Sequence, residues 1–330
     1  MRLWIFYSLR YYIYTKIVTI LIQGQSAGNN SPIWIGSSET TRNNIESNNI
    51  KRCNSQENIE GVSEHVPTHL KPQTDEAFGH YLAGLIDGDG TSSKSRISIA
   101  FNVLDASLAY YIKKRIGYGR VRKIECFDKN AILLTITKRE GLEKVINLIN
   151  GKLRVQFKID AINKNIINAY SGSEARPFKI KDELHLNTSS DLDNHWLAGF
   201  LDADGSFQIK TLVSSALGVA SASPHGSRRV EIRLYVQMDQ ESRRLLDLIK
   251  DKFGGNIGYR KSKDSYYYSS TSFSSAKKFI WYLDRYHLLS SKHLNYLKWR
   301  KAYRLVQSQK HLTLEGQEKI KKLQSSMNSF

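Results

Sequence analysis

Two stretches of this sequence close on the same pair of acids. Residues 80 to 90 read HYLAGLIDGDG and residues 195 to 205 read HWLAGFLDADG, identical at seven of eleven positions. Each is an apolar, small-residue run that ends in Asp-x-Asp-Gly, so Asp87 and Asp89 match Asp202 and Asp204. Carboxylates at the C-terminal end of a helix are unfavourable alone, because the unpaired carbonyls there carry partial negative charge. A cation removes the conflict, and hard oxygen donors of this kind select Mg²⁺, Mn²⁺ or Ca²⁺ over zinc. A single Asp-x-Asp-Gly reads as a helix stop and turn. Two copies joined to matching helices in a strongly basic chain read as one divalent-metal site.

The spacing of the small residues shows how two helices could share that site. Gly84 and Gly88 stand four apart in the first copy, as do Gly199 and Ala203 in the second, so each pair lies on one helix face. Small faces let two backbones approach closely. Packed along them, the helices run side by side and deliver Asp89 and Asp204 to the same place, with the terminal carbonyls of Gly88 and Ala203 as further oxygen donors. His80 and His195, which open the stretches, show no metal-ligand spacing and read as capping or core residues.

The rest of the chain must position this pair. Its 330 residues allow about two ordinary domains. The excess of Lys and Arg over acids, +18 in all, is spread over a foldable, aromatic-containing sequence, which points to a polyanion partner and to nucleic acid before a membrane surface. Two cysteines, Cys53 and Cys126, exclude a disulfide framework and a Cys-rich zinc module.

Residues 3 to 22 are apolar and aromatic but carry Arg10 and Lys16; a membrane anchor and a cleaved targeting segment are equally open readings, with simple disorder a third. The Asn-, Ser- and Gln-rich residues that follow cannot build a core, so residues 1–75 read as a leader and disordered tether. Order is expected from about Glu76, with Thr74 or Asp75 capping the first helix. Residues 76–175 and 193–325 then follow one plan of helix, alternating strands, helix, strands and helix, joined by a linker over 176–192.

LAGLIDGDG at 82–90 and LAGFLDADG at 197–205 resemble the two signature motifs of the LAGLIDADG homing endonucleases in their single-chain, two-repeat form. The likeness runs from about residue 76 to 325 and extends to AYYIKKRIGYGRV, LEKVINLINGKLR, LLDLIKDKFGG and SKHLNYLKWRKAY, segments similar to members encoded in organellar group I introns. LIQGQSAGNN at 21–30 resembles the leader of mitochondrial members, which favours a mitochondrial location and argues against a stable membrane partner. The resemblance implies an α+β fold: two pseudo-symmetric αββαββα repeats, each with a four-stranded antiparallel sheet, forming a saddle on double-stranded DNA as a monomer. It implies a Mg²⁺-dependent double-strand break at a long site. Asp89 and Asp204 match the metal-binding catalytic positions, and Asp87 and Asp202 match structural ones that cap nearby amides. Lys152 and Lys292 fall where the family places a basic residue beside each cleavage centre. Gln237 is the candidate to position water in the second repeat; in the first, Asn102 and Asp105 have no clear match.

Strand alternation supplies the reading surface, since residues i and i+2 face the same way. Arg229, Glu231, Arg233, Tyr235 and Gln237 form one face in the second half; Arg120 with Arg122, and Lys94 with Arg96, do so in the first, and Arg260 and Lys263 add basic groups. Arg and Gln can read base edges, whereas lysines mostly contact phosphates. Asp105 follows Asp89 by 16 positions, while Asp239 follows Asp204 by 35, so the first hairpin must be far shorter than the second. Two other classes compete. An RNA maturase could hold intron RNA on the same basic saddle, and a duplicated interaction domain would show no metal dependence.

Overall fold

The computed structural model describes residues 61–126, 129–170, 180, 182–214 and 229–327. The apolar stretch 3–22, the tether to residue 60, and residues 176–179 and 181 of the expected linker lie outside the described residues. Among the described residues no helix is long and apolar enough to cross a membrane.

The first motif forms α1 (Asp75–Asp89), begun by Thr74, whose side chain accepts from the Ala77 amide at 3.1 Å. Asp75 and Glu76 in its first turn suit the positive end of the helix dipole. The helix runs directly into β1 (Gly90–Ser93) and β2 (Arg96–Asn102), followed by α2 (Ala106–Ile116), β3 (Arg120–Cys126), β4 (Lys129–Ile136) and α3 (Arg139–Ile149). A further helix, α4 (Gln156–Ile162), continues through a π-helical turn, Asn163–Ile167.

The second motif, α5 (Trp196–Asp204), starts the same series again: β5 (Gly205–Ser214), β6 (Arg229–Gln240), α6 (Arg243–Phe253), β7 (Asn256–Arg260), β8 (Ser265–Ser270) and α7 (Phe273–Arg285). Two more helices close the described chain, α8 (Lys292–Gln307) and α9 (Leu314–Ser325).

The sheets have one topology, β1-β2-β4-β3 and β5-β6-β8-β7, antiparallel throughout, as the α+β reading expects. Each carries its helices on one face. Ile97, Ile99, Leu134 and Ile136 pack with Leu108, Ile112, Leu142 and Val145; Phe207, Leu234, Val236 and Tyr268 pack with Leu246, Ile249, Phe279 and Trp299.

Order begins earlier than the expected boundary at residue 75. The extended segment from Val62 to Gln73 is anchored to both repeats. Val62 and Gln307 exchange two hydrogen bonds, Nη2 of Arg300 donates to the His65 carbonyl at 3.2 Å, and Nη1 of Arg115 donates to the Pro72 carbonyl at 2.8 Å. Only Val62 and Pro72 of this strap are buried, so hydropathy carries no sign of it. Side chains of distant helices satisfy its backbone.

Candidate active site

The small faces of α1 and α5 meet as their spacing predicts. A Cβ built on Gly84 would stand 1.9 Å from the Trp196 carbonyl oxygen, and one on Gly199 would stand 2.0 Å from that of Tyr81. At the C-terminal end a Cβ on Gly88 would lie 2.3 Å from the Ala203 Cβ and 3.2 Å from Oδ2 of Asp204. The two motif ends therefore converge, and the last residue of each helix is one of the paired acids, Asp89 or Asp204.

The other acid of each motif is buried and bonded. Asp87 accepts from the Arg154 amide at 2.8 Å, the Val155 amide at 3.2 Å and the Trp196 indole at 2.9 Å. Asp202 accepts from the Leu289 and Ser290 amides at 2.7 and 3.3 Å, from the Ser290 hydroxyl, and from the Tyr81 hydroxyl at 2.7 Å. Both are the amide-capping acids that the motif pattern implies. Burial raises their pKa values against these bonds, Asp87 to about 7.

Beside each motif end lies a lysine, one expected and one not. Nζ of Lys292 donates to the Ala203 carbonyl at 2.7 Å and to the Leu201 carbonyl at 3.3 Å. In the first repeat the equivalent place belongs to Lys158, whose Nζ donates to the carbonyls of Gly90 at 2.5 Å and Gly88 at 3.3 Å. Lys152 lies elsewhere. It pairs with Glu76 at 3.1 Å, in the first turn of α1, and so sits about 20 Å along the helix from Asp89. The loop carrying Lys152 packs against Gly79 near the start of α1, and the chain reaches the motif end only with α4. The signal for Lys158 was its place among Val155, Ile159 and Ile162, a charge on a buried helix stripe.

The carbonyls of Gly88 and Ala203, expected as metal donors, thus already accept bonds from these lysines. A carbonyl oxygen keeps a second lone pair, but the adjoining ammonium groups oppose another cation there. The carboxylates of Asp89 and Asp204 are the stronger donors.

Gln240, and not the expected Gln237, bonds Asp204. Nε2 of Gln240 donates to Oδ2 of Asp204 at 2.5 Å, whereas Gln237 donates to Asp239 at 3.2 Å. Gln240 shares the buried face of β6 with Val236 and Met238, and a glutamine on an apolar stripe was the signal. Gly90 faces Ile99 and Gly205 faces Met238, so the first-repeat counterpart of Gln240 is Phe101. Asn102 caps the turn at Leu104, and Asp105 accepts from the Ser291 amide at 2.6 Å across the repeats. His80 pairs with Glu76 at 3.2 Å, and His195 packs edge-on against Tyr286; burial lowers the pKa of both.

The outward sheet faces carry the expected basic and polar groups. On β6, Glu231, Arg233, Tyr235 and Gln237 alternate with buried Leu234, Val236 and Met238, and Arg229 pairs opposite Ser214. Arg233 pairs with Glu231 at 2.8 Å, and Lys210 lies over the Tyr235 ring at 4.6 Å. Arg260 lies over Tyr267 and 3.6 Å from Asp239, and Lys263 is exposed in the β7–β8 turn. Arg96, Arg120 and Arg122 are exposed on the first sheet, with Lys94 in the β1–β2 turn.

Among the described residues no group of three or more His, Cys, Asp or Glu side chains could hold a metal ion. The donor set suits a cation that takes its remaining ligands from phosphates and water, as Mg²⁺ commonly does. Carboxylate and carbonyl oxygens meet at the motif ends, and no thiolate or imidazole is among the contacts described there.

Two pseudo-symmetric α+β repeats that bring one acid each to a shared helix interface define a class of duplicated, strongly basic protein. The chain belongs to the LAGLIDADG endonuclease family: the family model for LAGLIDADG endonuclease matches residues 197–303. It is 53% identical over 288 residues to a cox1 intron-2 37.2 kDa protein of Schizosaccharomyces pombe, covering 87% of this chain and 80% of that protein. It is 30% identical to the intron-encoded DNA endonuclease aI3 of Saccharomyces cerevisiae, covering 79% of this chain and 71% of that one. The fold matches the LAGLIDADG homing endonuclease I-LtrWI bound to target DNA, with a TM-score of 0.57, 20% identity, and coverage of 78% of this chain and 99% of the other.

Proposed function

We propose that the chain is a site-specific endonuclease of the mitochondrial matrix that, as a monomer, makes a double-strand break in DNA lying across its two sheets. The observation that carries this reading is the convergence of Asp89 and Asp204 at the closely packed ends of α1 and α5. Solved relatives in the same fold are described as bound to DNA, one of them in the presence of calcium ions.

Asp89 and Asp204 would hold the divalent cations. A bound cation supplies activated water and charge stabilisation for phosphodiester cleavage. Lys158 and Lys292 set a positive charge on the carbonyl end of each motif, which offsets the crowding of two carboxylates and two helix dipole ends and favours an incoming phosphate. Gln240 fixes Oδ2 of Asp204. Arg96, Arg120, Arg122, Arg233, Tyr235, Gln237 and Arg260 contact base edges or backbone, and Lys94 and Lys263 contact phosphates.

The test is incubation of the purified chain with DNA spanning the uninterrupted host gene, with Mg²⁺ and with EDTA. A discrete double-strand cut that EDTA abolishes is expected; an intact duplex in Mg²⁺ would overturn the reading. A second reading rests on likeness to the intron-encoded RNA maturase bI4 of Saccharomyces cerevisiae, 29% identical over 58% of this chain and 26% of that one. If the chain also assists splicing, Asp89→Asn protein should still promote splicing of its host intron RNA while failing to cut DNA.

A further inference from the structure

Three histidines meet where the strap crosses the turn between α7 and α8. His69 lies on the strap, His287 in the turn and His293 in the first turn of α8, with ring centroids 4.4, 5.2 and 6.0 Å apart. Two of the contacts are reciprocal. Nε2 of His69 bonds the Leu288 carbonyl at 2.8 Å, and the His287 ring bonds the Thr68 backbone, so neighbouring residues of strap and turn are tied side chain to backbone in both directions. Burial and then the adjacent imidazoles hold His287 and His293 below the ordinary histidine range, His293 at about 4. His69 therefore docks against uncharged rings near pH 7. Asp284, the carboxylate that faces them, is bonded to Arg300 and Tyr296. Among the described residues no three such side chains could hold a metal ion, so the trio is a docking contact and not a ligand set.

The turn that His69 grips leads straight to the end of α5. The Leu289 and Ser290 amides bond Asp202, the Ser291 amide bonds Asp105 of the first repeat, and Nζ of Lys292 bonds the Ala203 carbonyl. The first repeat contains the same arrangement. There Asp87 accepts from the Arg154 and Val155 amides, which makes Leu153 the counterpart of Leu288. The Leu153 carbonyl accepts from the Asn187 amide at 2.8 Å, in the segment that leads into α5, just as the strap leads into α1. Each lysine-bearing stretch is thus braced at the same carbonyl by the segment preceding the opposite motif helix. The first brace is a backbone amide, which any residue supplies; the second is the side chain of His69. Leu153 and Leu288 are both buried, and a buried carbonyl without its donor is costly. Arg300 and Arg115 pin the strap on either side of His69, through the carbonyls of His65 and Pro72.

We propose that His69 is a positioning residue for cleavage, holding the turn that carries Lys292 against the end of α5 through the Leu288 carbonyl. The proposal rests on the endonuclease reading, with Lys292 acting at the second motif end. Loss of the bond frees Leu288 to move toward water, and the displacement passes along the turn to the amides that bond Asp202.

The experiment compares the full chain with His69→Ala, with His69→Gln, whose side-chain amide can donate to the same carbonyl, and with Val66→Ala elsewhere on the strap. Hydrogen exchange of the Leu289 and Ser290 amides, DNA affinity and the single-turnover rate on DNA spanning the uninterrupted host gene are measured for each. His69→Ala should speed exchange at both amides by about tenfold and slow cleavage by about fivefold or more, with affinity within about twofold. His69→Gln should recover most of both losses, and Val66→Ala should match wild type. In a Lys292→Gln background, His69→Ala should lower the rate by less than about twofold further, because the two residues act in series. Wild-type exchange and cleavage in His69→Ala would overturn the proposal, as would failure of the glutamine to rescue or a full additional loss in the Lys292→Gln background. If the wild-type chain cuts no DNA, the endonuclease reading falls, while the exchange rates still decide whether His69 holds the turn.

Discussion

Trp196 of the second motif helix donates its indole proton to Asp87 of the first at 2.9 Å, and the exchange is reciprocal, since Tyr81 donates to Asp202 at 2.7 Å. Tyr81 and Trp196 occupy equivalent positions in the two motifs, so each repeat supplies the aromatic donor for the buried acid of the other. Those acids also accept from backbone amides shortly before the two lysines. Asp87 holds Arg154 and Val155, which lead into α4 and Lys158; Asp202 holds Leu289 and Ser290, which lead into Lys292. The first acid of each motif thus ties together the repeat interface, the motif helix and the lysine, leaving the second acid at the helix end.

Burial of Asp87 makes stability depend on pH with a definite sign. Its pKa in the folded chain, about 7, lies above the ordinary value of 3.8, so the folded state binds an extra proton between those limits. The stability linked to protonated Asp87 is complete below about pH 4 and is lost as pH rises through 7. In urea unfolding, Asp87→Asn removes this dependence. The stability of wild type relative to the variant should fall by about 3 kcal/mol between pH 5 and 8. Parallel pH profiles would show that Asp87 does not titrate in this range.

Asp89→Asn and Asp204→Asn keep the shape of the helix ends and remove one charge each. Double-strand cleavage should fall by at least about 10³-fold in either variant, with DNA affinity within a few-fold of wild type. Gel-shift and cleavage assays on the same preparations separate the two quantities. Cutting at the wild-type rate by either variant, or in EDTA, rejects the assignment.

Much of this site was legible because the motif is written twice. Gly84, Gly88, Gly199 and Ala203 gave the packing of α1 on α5, and the acids followed from it. Alternation along β6 gave the outward face for the same physical reason. What sequence could not supply was the route of the chain after α3: Lys152 and Lys158 are both basic residues near a helix start, and only the path of the loop decides which reaches the motif end. Gln240 was hidden because a glutamine beside Val236 and Met238 conflicts with the face it occupies. The strap from Val62 leaves its Val66 and Leu70 exposed and buries only Val62 and Pro72, so its order depends on α8 and α2.

The two lysines of the first repeat provide a direct comparison. Lys158→Met removes a buried ammonium from the Gly88 and Gly90 carbonyls and should lower the single-turnover cleavage rate by about 10²-fold or more. Lys152→Gln removes only a pair with the exposed Glu76 carboxylate, so cleavage should stay within about twofold and stability within about 1 kcal/mol. The reverse ranking would place the functional lysine in the loop and not in α4.

The first hairpin is far shorter than the second, as expected, although Asp239 lies within β6 at the place equivalent to Ala100 and not to Asp105, so the spacing of the acids misjudged only the counterpart. In the first, β1 has four residues and turns at Lys94 and Ser95 into a seven-residue β2; in the second, β5 has ten and β6 has twelve, while the hairpin tip at 215–228 lies outside the described residues. At ~3.3 Å per residue, the ten residues of β5 span about 20 Å more than the four of β1. Lys210, Arg233 and Leu212 lie on the outward side of this extension, beyond any counterpart in the first hairpin. Base pairs at the outer end of the second half-site should therefore be read by side chains that the first repeat lacks. Each such position should contribute ~1–3 kcal/mol of discrimination, and mirror positions under the first repeat much less. Cleavage of every single-base variant of the target gives the profile. Equal tolerance at the two outer flanks would show that the longer hairpin does not contribute to specificity there.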